Sequence, residues 1–318
     1  MAESLRIAVA LGGNAISRAD QQGNVDEQFE NARGTAIALV DLIEAGHQLV
    51  ITHGNGPQIG NFLLRNTAAA GAVYRLPMVV AVAHVQGGMG YMLAQTITNE
   101  LRARGDKRVV TAVVTTILVD PKDPAFADPT KPIGKRLTAE EGERFRGLEG
   151  WRIKEIEPGV FRRFVPSPKP SEILEIEHIR RSVEAGEFLV VCGGGGIPAV
   201  RDENGMMKGV AAVIDKDFAT AMLAAEVRAD AMMILTDVDR VRLNFGKPNE
   251  SEIETMTVSE ARTHLEEGQF PPGTMGPKVC GAINFLEASD RSDAYVVIGP
   301  LDKAVDAVAG RVGTRITK

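Results

Sequence analysis

Short apolar runs alternate with amphipathic repeats along most of the chain. Leu5–Leu11 is rich in Ile, Val and Leu and ends at Gly12-Gly13, the pattern of a strand buried on both faces. Phe29, Ala32, Leu39, Val40 and Ile43 then recur at helical spacing until Gly46 stops the helix. Gln48–Thr52 reads as a second strand, and Pro57 sits at the start of a helix over Ile59–Ala70. A helix around Met89–Arg104 and a β-branched strand over Val109–Val119 follow. This rhythm predicts an α/β fold: an open, mostly parallel sheet sandwiched between helices. Ligands of such sheets bind at the carboxyl ends of the strands.

Residues 121–170 break the rhythm. They hold eight of the sixteen prolines and the only tryptophan, Trp151. A structureless loop of that length is improbable, so the segment reads as a small inserted subdomain folding over the sheet edge. The alternation then resumes. Ser171 is placed to cap a helix through Ala185, and a strand over Phe188–Cys192 runs into four glycines. Further helices are expected over Asp217–Arg228, Val258–Glu267 and Lys278–Ala288, with strands at Ala231–Leu235 and Ala294–Ile298.

The net charge of −6 over 318 residues gives no general attraction for nucleic acid or anionic membranes, so positive charge at a site must be local. Two cysteines, Cys192 and Cys280, provide no disulfide framework and suit a reducing compartment. No basic-then-apolar leader opens the sequence and no apolar run is long enough to span a bilayer. A cytoplasmic protein without nucleic-acid or membrane partners is the expectation.

Several segments carry candidate chemistry. Gly12-Gly13-Asn14 brings backbone N–H groups and a side-chain donor close to an anion, or forms a plain turn. His53-Gly54-Asn55-Gly56-Pro57 precedes a helix whose free N–H groups suit a carboxylate or phosphate. His53 could be a base or a metal ligand, though hydrogen-bonding its own loop is the simpler role. Gly193-Gly194-Gly195-Gly196 leads into an extended Ile197-Pro198-Ala199-Val200, unlike a dinucleotide fingerprint, which opens a helix. It suits close backbone approach to a phosphoryl group, or a hinge. Asp215-Lys216-Asp217 either aims an ammonium at a phosphate or caps a helix. Thr236, Asp237 and Asp239 end a strand, and Asn244-Phe245-Gly246-Lys247 follows. Acidic groups there can receive ribose hydroxyls and Phe245 can flank a base, or the segment is a turn. Lys278, after Met275-Gly276-Pro277, and Lys131, in the insertion, are further cations.

Taken in order, these segments resemble the carbamate kinases of the amino-acid kinase fold. The resemblance runs through LGGNAI, THGNGPQIGN, PTKPIG, VPSPKP, CGGGGIP, AVIDKDFA, LTDVD, NFGKP and PGTMGPK. It implies a single domain over residues 1–318. An acceptor lobe of about 1–205 would hold carbamate or carbamoyl phosphate, and a nucleotide lobe of about 206–318 would hold ADP or ATP. It also implies a magnesium requirement, with no residue assigned as metal ligand, and a homodimer. By matching motifs, Lys216 and Lys278 would flank the transferring phosphoryl group, Asp217 would organise them, and Lys131 would reach in from the insertion. Gly12, Gly13, Asn14, Gly54, Asn55, Gly56, Gln86 and Gly193–Gly196 would form the acceptor and phosphate cradle. Asp215, Thr236, Asp237, Asp239, Asn244, Phe245, Lys247, Met275 and Gly276 would serve the nucleotide. The sequence departs from the family's common pattern at His84-Val85, Lys135-Arg136-Leu137 and Arg242. Two alternatives therefore stand beside carbamate kinase: a kinase of the same fold with another small acid acceptor, and a non-catalytic nucleotide-binding relative.

Overall fold

A computed structural model describes residues 4–18 and 21–318; the side chains of residues 14, 148 and 149 lie outside the description, and with them the donor role expected of Asn14. An eight-stranded sheet forms the centre. Its order is Thr255–Thr257, Thr314–Thr317, Tyr295–Pro300, Ala231–Thr236, Arg6–Leu11, Gln48–His53, Phe188–Val190 and Val110–Ala112. All neighbours pair in parallel except Tyr295–Pro300 with Thr314–Thr317.

The unbroken apolar strands have a direct cause. Side chains alternate between the two faces of a sheet. Ile7, Val9 and Leu11 enter one core while Ala8 and Ala10 enter the other; Met233 and Leu235 are divided from Met232 and Ile234 in the same way. The first core is covered by α1 (Val25–Glu44), α2 (Gly56–Ala68), α3 (Met78–Ala103) and, near the C-terminus, the short Ala304–Val308 helix. The inserted segment carries α4 (Ala139–Glu149). The second core is covered by α5 (Ile176–Glu184), α6 (Lys216–Glu226), α7 (Val258–Glu266) and α8 (Met275–Ala288). Each fully buried Leu or Ile contributes about 1.5–3 kcal/mol, so both faces are strongly held. Among the described residues, no helix is long and apolar enough to cross a membrane.

Three sequence expectations change. The long helix begins at Met78, eleven residues before Met89, with Pro77 at its cap position. The expected Val109–Val119 strand divides in two. Val110–Ala112 stays in the main sheet, while Thr116–Val119 joins a second sheet between Ile197–Arg201 and Pro170–Ile173. The break falls at Thr115, whose N–H donates to Gln86 and whose hydroxyl accepts from the Cys192 N–H. Ser171 is not a cap: its hydroxyl donates to the Leu118 carbonyl from within a strand, and α5 starts at Ile176.

The insertion is a subdomain, with α4 laid against an antiparallel sheet ordered Lys131–Leu137, Val160–Val165, Arg152–Glu157. It meets α2 backbone to backbone. A Cβ on Gly60 would fall 1.9 Å from the Gly134 Cα, and Gly134 itself has φ +73°. Neither position can accept a side chain without moving the subdomain. Gly60→Ala is expected to destabilise the protein by about 1–3 kcal/mol through overpacking. Limited proteolysis should then cut residues 121–170 faster than in the parent protein; unchanged proteolysis would show that this contact does not seat the subdomain.

Candidate active site

Three glycine turns gather at the carboxyl edge of the central strands. Gly12 follows Arg6–Leu11 and its N–H donates to the Leu235 carbonyl at 3.0 Å. Gly54 follows Gln48–His53 and donates to Leu11. Gly193–Gly196 follows Phe188–Val190 after Cys192 turns left-handed (φ 50°). Side chains are sterically excluded from the third turn. A Cβ on Gly193 would lie 2.3 Å from His53 Nε2, on Gly194 2.0 Å from Asn55 Nδ2, and on Gly195 2.3 Å from the Ile214 carbonyl. Asn55 and Gly56 stand at the N-terminus of α2, where free N–H groups and the helix dipole favour an anion. Asn55 is almost fully buried, does not cap the helix, and its amide nitrogen has no partner among the described residues.

The charged groups meet beside these turns. Asp215 caps α6 by accepting the Asp217 N–H at 2.9 Å, so the capping role and the charged role are both present. Lys216 lays its stem against Gly54 and directs its ammonium to Asp217 Oδ1 at 2.5 Å. The other Asp217 oxygen lies 3.6 Å from the Lys278 ammonium, which comes from the first turn of α8. Lys131 reaches in from the subdomain and donates to Asp215 Oδ2 at 2.8 Å. Three ammonium groups and two carboxylates therefore share a mostly buried cluster. Burial opposes the Asp215 charge, but the Lys131 ammonium, helped by Lys216 and the Asp217 N–H, outweighs it and lowers the carboxyl to about 2. Burial and the Lys216 charge lower the Lys278 ammonium, partly offset by Asp217 and Asp215.

His53 is fully buried, and burial, reinforced by the Lys216 charge, lowers it to about 4 against the opposing hydrogen bond to Gly54. Its Nδ1 faces the Gly54 carbonyl at 3.1 Å and its Nε2 lies beneath Gly193. The ring is neutral near pH 7 and fills the space under the glycine turn. Gln86 has both ends of its amide engaged: nitrogen to the Gly193 carbonyl at 2.8 Å, oxygen from the Thr115 N–H at 2.7 Å. It holds the glycine turn in place.

The nucleotide-side residues are more dispersed. Thr236 ends its strand and donates to Asp237 at 3.0 Å, and Asp239 lies 3.5 Å from Lys303. Asn244 (φ 53°), Phe245, Gly246 (φ 75°) and Lys247 form the tip between the strands Val241–Leu243 and Ser251–Ile253. Glu250 and Gln269 tie that tip down, and Phe245 is 65% exposed. Met275 and Gly276 open α8, where the Gly276 N–H bonds to the Pro271 carbonyl. Arg242 pairs with Glu250 and Glu252.

Two supports escape the motif reading. A Cβ on Gly281 would fall 2.8 Å from the Asp217 carbonyl, so α6 and α8 touch there and bring Asp217 to Lys278. Thr220, one turn after Lys216, donates to the Lys216 carbonyl and meets Thr52 at 2.6 Å. The spacings of both from the lysines are visible in the sequence, but neither residue type is chemically conspicuous.

His53 also makes a pH prediction. Its folded pKa is depressed, so its stabilisation is complete above its unfolded value near 6.5 and is lost as pH falls toward about 4. That interval corresponds to about 3 kcal/mol. Denaturant unfolding of the parent protein should weaken across it, and His53→Asn should flatten that dependence. Parallel curves for the two proteins would mean that His53 ionisation is not linked to folding.

Comparison with known proteins identifies the family. The sequence profile of the amino acid kinase family matches residues 6–298. The chain is 44% identical to a carbamate kinase of Pyrococcus horikoshii over 98% of its length and 99% of the relative's. It is 42% identical to a carbamate kinase-like protein of Escherichia coli, over 98% and 99%. The solved carbamate kinase of Giardia lamblia bound to AMP-PNP superposes with a TM-score of 0.91 at 39% identity, over all of both chains. The chain belongs to the amino acid kinase family and, within it, to the carbamate kinases, which are phosphotransferases.

Proposed function

We propose that the protein is a carbamate kinase, moving a phosphoryl group reversibly between carbamoyl phosphate with ADP and carbamate with ATP. The observation that carries this reading is the convergence of Lys131, Lys216 and Lys278 beside side-chain-free glycine turns. Carbamate is already an anion, so the reaction needs alignment and charge stabilisation more than a base. Lys216 and Lys278 flank the transferring group, Asp217 holds both in register, and Lys131 closes the site from the subdomain. The glycine turns that begin at Gly12, Gly54 and Gly193 let the backbone approach the phosphoryl group closely, and the unpartnered Asn55 amide supplies a donor for the acceptor. The acceptor is bound by about residues 1–205 and the nucleotide by about 206–318, with Phe245 as the exposed face for the base.

Magnesium fits as part of the nucleotide complex. Among the described residues no cluster of three acidic, His or Cys groups offers an all-protein cage. Magnesium commonly binds through substrate phosphates and one or two carboxylates, and Asp215 is the carboxylate suited to that role. Bound there, it would neutralise charge on the phosphoryl oxygens.

Three of the departures from the family pattern sit at the surface. His84 is exposed and packs 5.5 Å from the Phe62 ring, while Lys135 and Arg136 pair with Glu141 and Glu157 at the subdomain surface. A second copy of the chain is proposed as partner across α3. From Met78 to Asn99 that helix carries no Asp, Glu, Lys or Arg, and it leaves Tyr91 61% exposed. Two free cysteines suit a cytoplasmic setting.

The test is ATP formation from ADP, Mg²⁺ and carbamoyl phosphate. Lys216→Ala and Lys278→Ala should each lower turnover about a hundredfold or more, as expected for a lost charge contact in the transition state. Losses within about threefold would reject the clamp, and a folded, ADP-binding protein that forms no ATP would reject carbamate as acceptor. Tyr91→Glu should shift the mass measured by light scattering from dimer to monomer; an unchanged mass would place any pairing elsewhere.

A further inference from the structure

A cavity of about 340 Å³ lies at the seam between the subdomain and the body. It is not the site described above. It adjoins Leu63 and Asn66 in the last turns of α2, and Asn66 lies eleven residues beyond Asn55, about 16 Å along the helix. Its volume falls in the range of small-molecule sites.

The lining has a definite chemistry. Arg75 comes from the loop before α3, and Arg152 and Arg163 come from adjacent strands of the subdomain. Among the described residues, no Asp or Glu lines the cavity, although the chain as a whole carries a net charge of −6. Trp151 and Phe164 provide apolar walls, and the Arg163 guanidinium stacks 4.0 Å over the Trp151 ring. Guanidinium groups are fork-shaped donors suited to carboxylates and phosphates, and a stacked one is partly pre-oriented.

We propose that this cavity binds a small anion with an apolar or aromatic body, carrying a carboxylate or a phosphate monoester, and that its occupancy is coupled to Lys131. The coupling is geometric. Val165 lines the cavity and is the direct cross-strand partner of Lys131. A ligand held by Arg75 on one side and by Arg152 and Arg163 on the other ties the subdomain to the body in the position that brings Lys131 to Asp215. The binding half stands on the cavity alone; the effect on turnover rests on the proposed function.

Trp151 is the only tryptophan in the chain, so its fluorescence reports on this wall directly. Phenyl phosphate and benzoate serve as probes, with sodium chloride as the ionic-strength control. Both probes should change the emission saturably in the parent protein and in Lys216→Ala. Arg75→Glu should weaken the response about tenfold or more, which corresponds to about 1.4 kcal/mol, in a protein that circular dichroism shows to be folded. A response to one probe only assigns the ligand to that anion class. The proposal is overturned if neither probe saturates, if Arg75→Glu titrates like the parent, or if Lys216→Ala abolishes the signal.

Discussion

Like charges resist being brought together. Two ammonium groups about 4 Å apart repel by about 4 kcal/mol at the effective dielectric of a protein surface, and more where water is excluded. Three lysines share this site because each is assigned a carboxylate oxygen: Lys131 to Asp215, and Lys216 and Lys278 to the two oxygens of Asp217. The placement of those two aspartates governs the surrounding architecture. They open α6, Gly281 lets α8 approach Asp217, and the subdomain is seated so that Lys131 reaches Asp215. The cluster carries one more positive than negative charge, which suits it to receive an anion.

A complementary constraint acts on the sheet side, where atoms are kept out. The turn at Gly193–Gly196 is packed from beneath by His53, Asn55 and Ile214, and Gln86 anchors its first carbonyl. Space for side chains on the turn itself is thereby closed. A neutral histidine suits this support, since a charged ring there would add a fourth cation beside Lys216.

Much of this was readable in the sequence. The apolar strands, the three glycine turns and the residue sets around Lys216 and Lys278 were all legible, because buried parallel strands and anion-binding turns leave strong local patterns. What stayed hidden depends on distant partners. The split at Thr115 follows from hydrogen bonds to Gln86 and Cys192, which no local propensity encodes. The start of α3 was obscured by Gly87, Gly88 and Gly90, which weaken the helical pattern although the surrounding packing sustains it. Ser171 has the chemistry of a cap but sits opposite Leu118 in a sheet, and the tertiary pairing prevails. The glycines at 60, 134 and 281 matter through the Cβ atoms they lack, and their significance appears only when a second backbone lies against them.

The contact between Gly60 and Gly134 acts as a pivot with a short lever. Lys131 is three residues along the same strand, so its backbone lies about 10 Å from that pivot at strand rise. A tilt of about 5° would displace it by about 0.9 Å over that arm, close to the 1 Å error that would cost a lysine in the proposed clamp about a hundredfold in rate. The tolerance for rocking of the subdomain is therefore a few degrees. A bare backbone contact meets that tolerance well, because it contains no rotatable side chain through which the angle could drift.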